Sequence, residues 1–112
     1  MQLEWIKCDG DRWCSFTNVD LSHSHFDDMK GVYVIFQKEG KVVRLGQGIV
    51  KDRISSHRKD YLITKHNPIY VTWAKVDRSQ RDGVEKFLAN KFNPIIGDAF
   101  PNVIPITVNL PQ

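Results

Sequence analysis

The stretch Gly31-Val32-Tyr33-Val34-Ile35-Phe36, followed after Gln37-Lys38-Glu39-Gly40 by Lys41-Val42-Val43-Arg44-Leu45-Gly46, decides how the rest of the chain is read. β-Branched and aromatic residues fill the first run, a polar tetrapeptide ending in glycine interrupts it, and a second β-rich run follows at once. Two runs so closely joined predict a β-hairpin. Alternation along each strand places Val32, Val34 and Phe36 with Val43 and Leu45 on one face. Tyr33, Ile35, Val42, Arg44 and Gly46 fall on the other. A four-residue connection sets Tyr33 directly opposite Arg44, where a cation would favour a phenolate over a phenol.

Outward from the hairpin, Gln47-Gly48 is read as the end of the second strand. A helix is expected from about Val50 to Asp60, with Val50 and Ile54 as its buried stripe and Tyr61 at its end. Arg53 and His57 stand four apart on it and so share a face. Asn67-Pro68 is a break, and Ile69–Val76 reads as a third strand. Ser79-Gln80-Arg81-Asp82 is similar to a capping box. It opens a helix to about Phe92 whose apolar stripe is Val84, Phe87, Leu88 and Phe92, with Glu85 at the stripe's border. Asn93-Pro94 ends that helix.

The order β-β-α-β-α predicts an α+β fold with a small central, mainly antiparallel sheet flanked by helices. One domain is expected over residues 1–112. Residues 31–97 form its core and 98–112 an extended tail with a short strand around Ile106–Val108. Residues 1–30 form a loop-rich lead-in, with an edge strand at Leu3–Lys7 and with Trp5, Trp13 and Phe16 covering one side of the core.

Hydrophobic residues make up 41% of the 112, too many for a disordered chain. The longest apolar run, Val32–Phe36, falls far short of the ~20 residues of a membrane span. No signal peptide is visible at the N-terminus. Sixteen Lys and Arg against 13 Asp and Glu give a net charge of +3, which suits a polyanionic partner without identifying one. The basic residues concentrate at Lys51, Arg53, Arg58, Lys59 and Lys65. Cys8 and Cys14 are read as reduced thiols in a cytoplasmic setting. A Cys8–Cys14 disulfide, or a zinc site with His23 and His25, is the less favoured reading, since the spacing matches no standard zinc pattern.

Taken together, Gly31-Val32-Tyr33, then Arg44-Leu45-Gly46-Gln47, then Arg53 with His57 four later, then Glu85 on a later helix, resemble the GIY-YIG nuclease family. The resemblance covers Gly31 to about Gly97, and it implies hydrolysis of DNA phosphodiester bonds with Mg²⁺ or Mn²⁺. It implies Tyr33 as the group that helps activate the attacking water, Arg53 as the phosphate clamp, Glu85 as the metal ligand and His57 as an assisting polar residue. The chemistry suits those side chains. A guanidinium fork matches a phosphate and stays protonated, and one carboxylate with waters and phosphate oxygens suits Mg²⁺. Tyrosine, ordinarily titrating near pH ~10, needs its anion stabilised to serve as a base.

The chain departs from the family pattern twice. Arg44 stands where the second motif has tyrosine, so it is either a cation beside Tyr33 or a second phosphate ligand. Gly97 stands where an asparagine is usual. Lys51, Arg58, Lys59 and Lys65 are expected to follow backbone phosphates without reading sequence. Specificity would then come from DNA structure, from the lead-in or from a protein partner. The alternative reading is a catalytically inactive DNA-binding module of the same fold.

Overall fold

The computed structural model describes every residue of the chain except Asp98. In chain order its elements are β1 (Cys14–Ser15), a 3₁₀ turn (Ser24–Phe26), β2 (Lys30–Gln37), β3 (Val42–Ile49), α1 (Val50–His57), α2 (Tyr61–Thr64), β4 (Ile69–Lys75) and α3 (Arg78–Phe92). The strands form one sheet in the order β1-β4-β2-β3, and every pairing is antiparallel. The protein is therefore α+β, with the apolar β2 at the centre of the sheet.

Two apolar layers cover this sheet. One holds Tyr33, Ile35, Val43, Val71 and Trp73 of the strands with Val50 and Ile54 of α1, and is closed by Phe16 and Phe26 of the lead-in. The other holds Val32, Val34, Val42 and Leu45 with Val84, Leu88 and Ala89 of α3. Gly31 sits where the sheet is tightest, since a Cβ there would lie 1.9 Å from the Ala74 carbonyl oxygen. α3 ends as the sequence predicts: Asn93 adopts the left-handed conformation at φ 45° just before Pro94.

The hairpin register differs from expectation. Tyr33 pairs with Gly46 and Arg44 with Ile35: Phe36 already pairs with Val42 and not with Lys41, a slip of one residue, and a bulge between Ile35 and Phe36 then leaves Val43 as the extra residue on β3. The slip trades the faces of Val42 and Val43, and the bulge returns Arg44 and Leu45 to their expected faces. Arg44 still shares the face of Tyr33 but stands diagonal to it. β3 also runs past Gln47-Gly48 to Ile49, since Gly48 takes φ +130° opposite Gly31 and continues the ladder.

Other boundaries move as well. The predicted helix to Asp60 breaks after His57, and Asp60 starts α2 by accepting from the Leu62 N–H. α3 begins at Arg78 behind Asp77, so Ser79 is inside the helix and there is no capping box. Leu3–Lys7 forms no strand. Ile6 gives one hydrogen bond to the Trp73 carbonyl, and β1 supplies the edge instead. Ile106–Val108 forms no strand either: Ile106 N–H binds the Gly83 carbonyl, and Asn109 ties the tail to Leu3.

The thiols are not reduced in this structure. Cys8 and Cys14 form a disulfide, because the Asp9–Arg12 bridge and Gly10 at φ 60° fold residues 8–14 into a tight loop. That removes both sulfurs from any zinc site. His23 and His25 are also committed, with His23 Nδ1 accepting from the His25 N–H and His25 Nε2 accepting from the Trp73 indole. Among the described residues no helix is long and apolar enough to cross a membrane.

Candidate active site

β3 is an edge strand of the sheet, and the residues of interest collect along it. Tyr33 projects from β2 across Gly46. A Cβ at Gly46 would lie 2.5 Å from the Tyr33 hydroxyl, so only glycine lets the ring lie flat over β3. The strand passes directly into α1 at Val50, which turns Arg53 and His57 back toward the same edge. Tyr33 Oη and His57 Nε2 are hydrogen-bonded at 2.7 Å, with both side chains buried.

His57 is held neutral. Its pKa falls from 6.5 to about 4, first through burial and then through the positive charges of Arg44 and Arg53, against a smaller opposing effect of Asp60. A neutral imidazole protonated on Nδ1 presents Nε2 as an acceptor for the Tyr33 O–H.

From the opposite layer, α3 brings Glu85 to the same edge. The Gln47 side-chain amide donates to Glu85 Oε1 at 2.8 Å and to Asp82 Oδ1 at 2.6 Å. Burial pushes the Glu85 carboxyl above its ordinary pKa. The Gln47 hydrogen bond counters this, Asp82 adds to it, and Arg53 and Arg44 also counter it. Both arginines line the same pocket as Tyr33 and Glu85. Tyr33, Arg44, Gly46, Gln47, Arg53 and Glu85 line one pocket of about 300 Å³, with Gly97 and Phe100 on its far wall. Arg44 Nε is buried with no hydrogen-bond partner.

The five residues singled out in the sequence thus meet in one place: four line the pocket and His57 supports Tyr33 from beneath. The basic residues divide. Lys51, Lys59 and Lys65 are exposed. Arg58 is not a free cation of that surface, because its guanidinium donates to the Phe16 and Val19 carbonyls at 2.9 and 2.6 Å and fastens the lead-in to α1.

Sequence reasoning missed Gln47 and Asp82. Asp82 was within reach of it, since a residue three before Glu85 lies on the same helical face. Gln47 carried no such signal, because its role depends on how α3 docks against β3. Among the described residues no group of three His, Cys, Asp or Glu side chains surrounds a common point. The chain matches no family model, no curated protein and no solved structure.

Proposed function

We infer that this chain is a metal-dependent endonuclease of the GIY-YIG type that hydrolyses phosphodiester bonds in DNA. The observation that carries the reading is the convergence of Tyr33, hydrogen-bonded to His57, with two arginines and Glu85 on one pocket beside the edge strand β3. Such a hydrolysis needs a deprotonated water, countercharge for the phosphate in the transition state and help for the departing alkoxide.

Tyr33 and His57 answer the first need as a pair. A water facing the phenol gives its proton to Tyr33 Oη while the phenol's own proton passes to His57 Nε2. The pair gains one proton overall, and no free phenolate has to exist beforehand. The burial that keeps His57 neutral keeps Nε2 ready to receive it. Arg53 and Arg44 answer the second need as two permanent donors on one phosphate. The half-buried Glu85 carboxylate is a donor suited to a hard divalent cation. It would hold Mg²⁺ or Mn²⁺, which supplies Lewis-acid stabilisation at the leaving oxygen. Gln47 steadies that carboxylate by holding Oε1.

The exposed Lys51, Lys59 and Lys65 support DNA as the polyanion, through contacts that position a backbone without reading bases. A protein partner supplying target choice would fit the same surface.

Nicking of supercoiled plasmid tests the reading. Wild-type protein with Mg²⁺ or Mn²⁺ should produce open circles, and chelation should stop it. Glu85→Ala, Arg53→Ala and Tyr33→Phe should each lower the rate by about a hundredfold or more. Salt-sensitive binding with no nicking would instead support a DNA-binding module that does not cut.

A further inference from the structure

A second concave site lies on the α3 side of the sheet, at the hairpin end, and plays no part in the chemistry above. It is a cleft of about 540 Å³ walled by Trp13, Phe36, Tyr70 and Phe92 and floored by Val34 and Val42. That volume lies within the range of small-molecule sites. The four rings are half-buried, not sealed. Trp13 meets Phe36 edge to face at 5.5 Å, and Phe36 lies 6.0 Å from Tyr70, so the three make a continuous aromatic wall.

The mouth carries Arg12 and Lys38, both exposed, together with Asp11 and the last residue of the chain, Gln112. Lys7 adds a third cation nearby, 4.7 Å from the Trp13 ring centre. The lead-in builds this arrangement. The Cys8–Cys14 disulfide and the Asp9–Arg12 bridge close the loop that carries Arg12 and Trp13, and β1 fastens it to β4 beside Tyr70.

We propose that this cleft seats an unpaired nucleotide, with its base against the Trp13–Phe36–Tyr70 wall and its phosphate between Arg12 and Lys38. An apolar molecule alone would leave those cations without a role, and a continuous duplex would keep its bases out of the cleft. Stacking on aromatic rings tolerates any base, because each has a π-face. The cleft's link to cleavage rests on the nuclease reading. Glu85 and Phe92 lie seven residues apart on one side of α3, which is about 10 Å at the helical rise. That spans roughly three nucleotides at duplex spacing. The substrate would then be DNA with a single-stranded stretch a few nucleotides from the cut, such as a frayed end, a flap or a gap.

Titration of the protein with a labelled thymidine octanucleotide, in chelator so that nothing is cut, tests this against an eight-base-pair duplex. The octanucleotide should bind tighter than the duplex and quench tryptophan fluorescence. Trp13→Phe should abolish the quenching while keeping most of the affinity. Tyr70→Ala should weaken single-strand binding about tenfold and leave duplex binding unchanged. Lys38→Glu, at an exposed site, should also weaken it. Equal affinity for the two DNAs, or single-strand binding untouched by both Tyr70→Ala and Lys38→Glu, would overturn the proposal. So would binding only of an uncharged aromatic probe such as 1-naphthol. Plasmid nicking measured in parallel separates the two readings. Nicking without octanucleotide binding defeats the cleft alone, and octanucleotide binding without nicking defeats the nuclease alone.

Discussion

The two faces of the sheet are covered by similar apolar layers but hold their polar groups in opposite ways. On the α1 face the Tyr33–His57 pair is buried, and burial keeps the imidazole uncharged. On the α3 face Glu85 is only half-covered, next to a second carboxylate that shares its amide donor. A proton acceptor wants shelter, and a cation ligand wants access to ions and water. Neither layer provides both. They combine because β3 is an edge strand, where Gly46 lets Tyr33 lie across it and Gln47 reaches over to α3. The candidate centre is therefore a rim feature joining two faces.

The largest test of this comparison removes the contact that both faces share. Gly31→Ala would drive a methyl group to 1.9 Å from the Ala74 carbonyl oxygen, a backbone clash no rotamer can relieve. A loss of ~3 kcal/mol or more is expected, seen as a large fall in the urea midpoint or as failure to fold.

The faces should next separate by titration. The folded state depresses the His57 pKa from 6.5 to about 4, so unfolding takes up a proton between those values. The resulting stability is fully present above pH ~6.5 and is lost as pH falls toward ~4, with an upper bound of roughly 3 kcal/mol. Glu85 works in the reverse sense. Its folded pKa is raised above 4.5, so its contribution declines as pH rises through the carboxylate range. Urea unfolding between pH 4.5 and 7 should show a shallower rise in His57→Gln and a steeper one in Glu85→Gln. Identical profiles for wild type and both variants would mean that the two faces do not differ in this way.

The smallest effect contrasts two arginines of one segment. Arg58→Ala removes charge-assisted hydrogen bonds to Phe16 and Val19 and should cost about 2 kcal/mol. Arg53→Ala, at an exposed position, should change stability by less than about 0.5 kcal/mol while removing the proposed phosphate clamp. Comparable losses of stability in both would dissolve the distinction.

Several features were legible in the residues alone. The apolar runs at Val32–Phe36 and Ile69–Val76, the stripe of Val84 and Leu88, and the Asn93-Pro94 stop each bear on local geometry, and each is where expected. The bulge at Val43 was not legible. Lys41-Val42-Val43-Arg44 satisfies alternation in either register, and the choice lies with the β3 edge, where the Ile95 and Ile96 N–H groups bind the Val42 and Val43 carbonyls. Nor was the inward turn of Arg58, whose charge reads in the sequence like that of Lys59 although its partners lie some forty residues away.

By itself the sequence determined the three long strands, the two main helices and the kinds of side chain available, because propensity and periodicity act over a few neighbouring residues. Tertiary structure alone decided which of those side chains meet: Gln47 with Glu85, Tyr33 with His57, and Trp13 with Phe36. Those pairings arise from register, from helix docking and from a closed loop at Cys8–Cys14, and each depends on contacts between segments far apart along the chain.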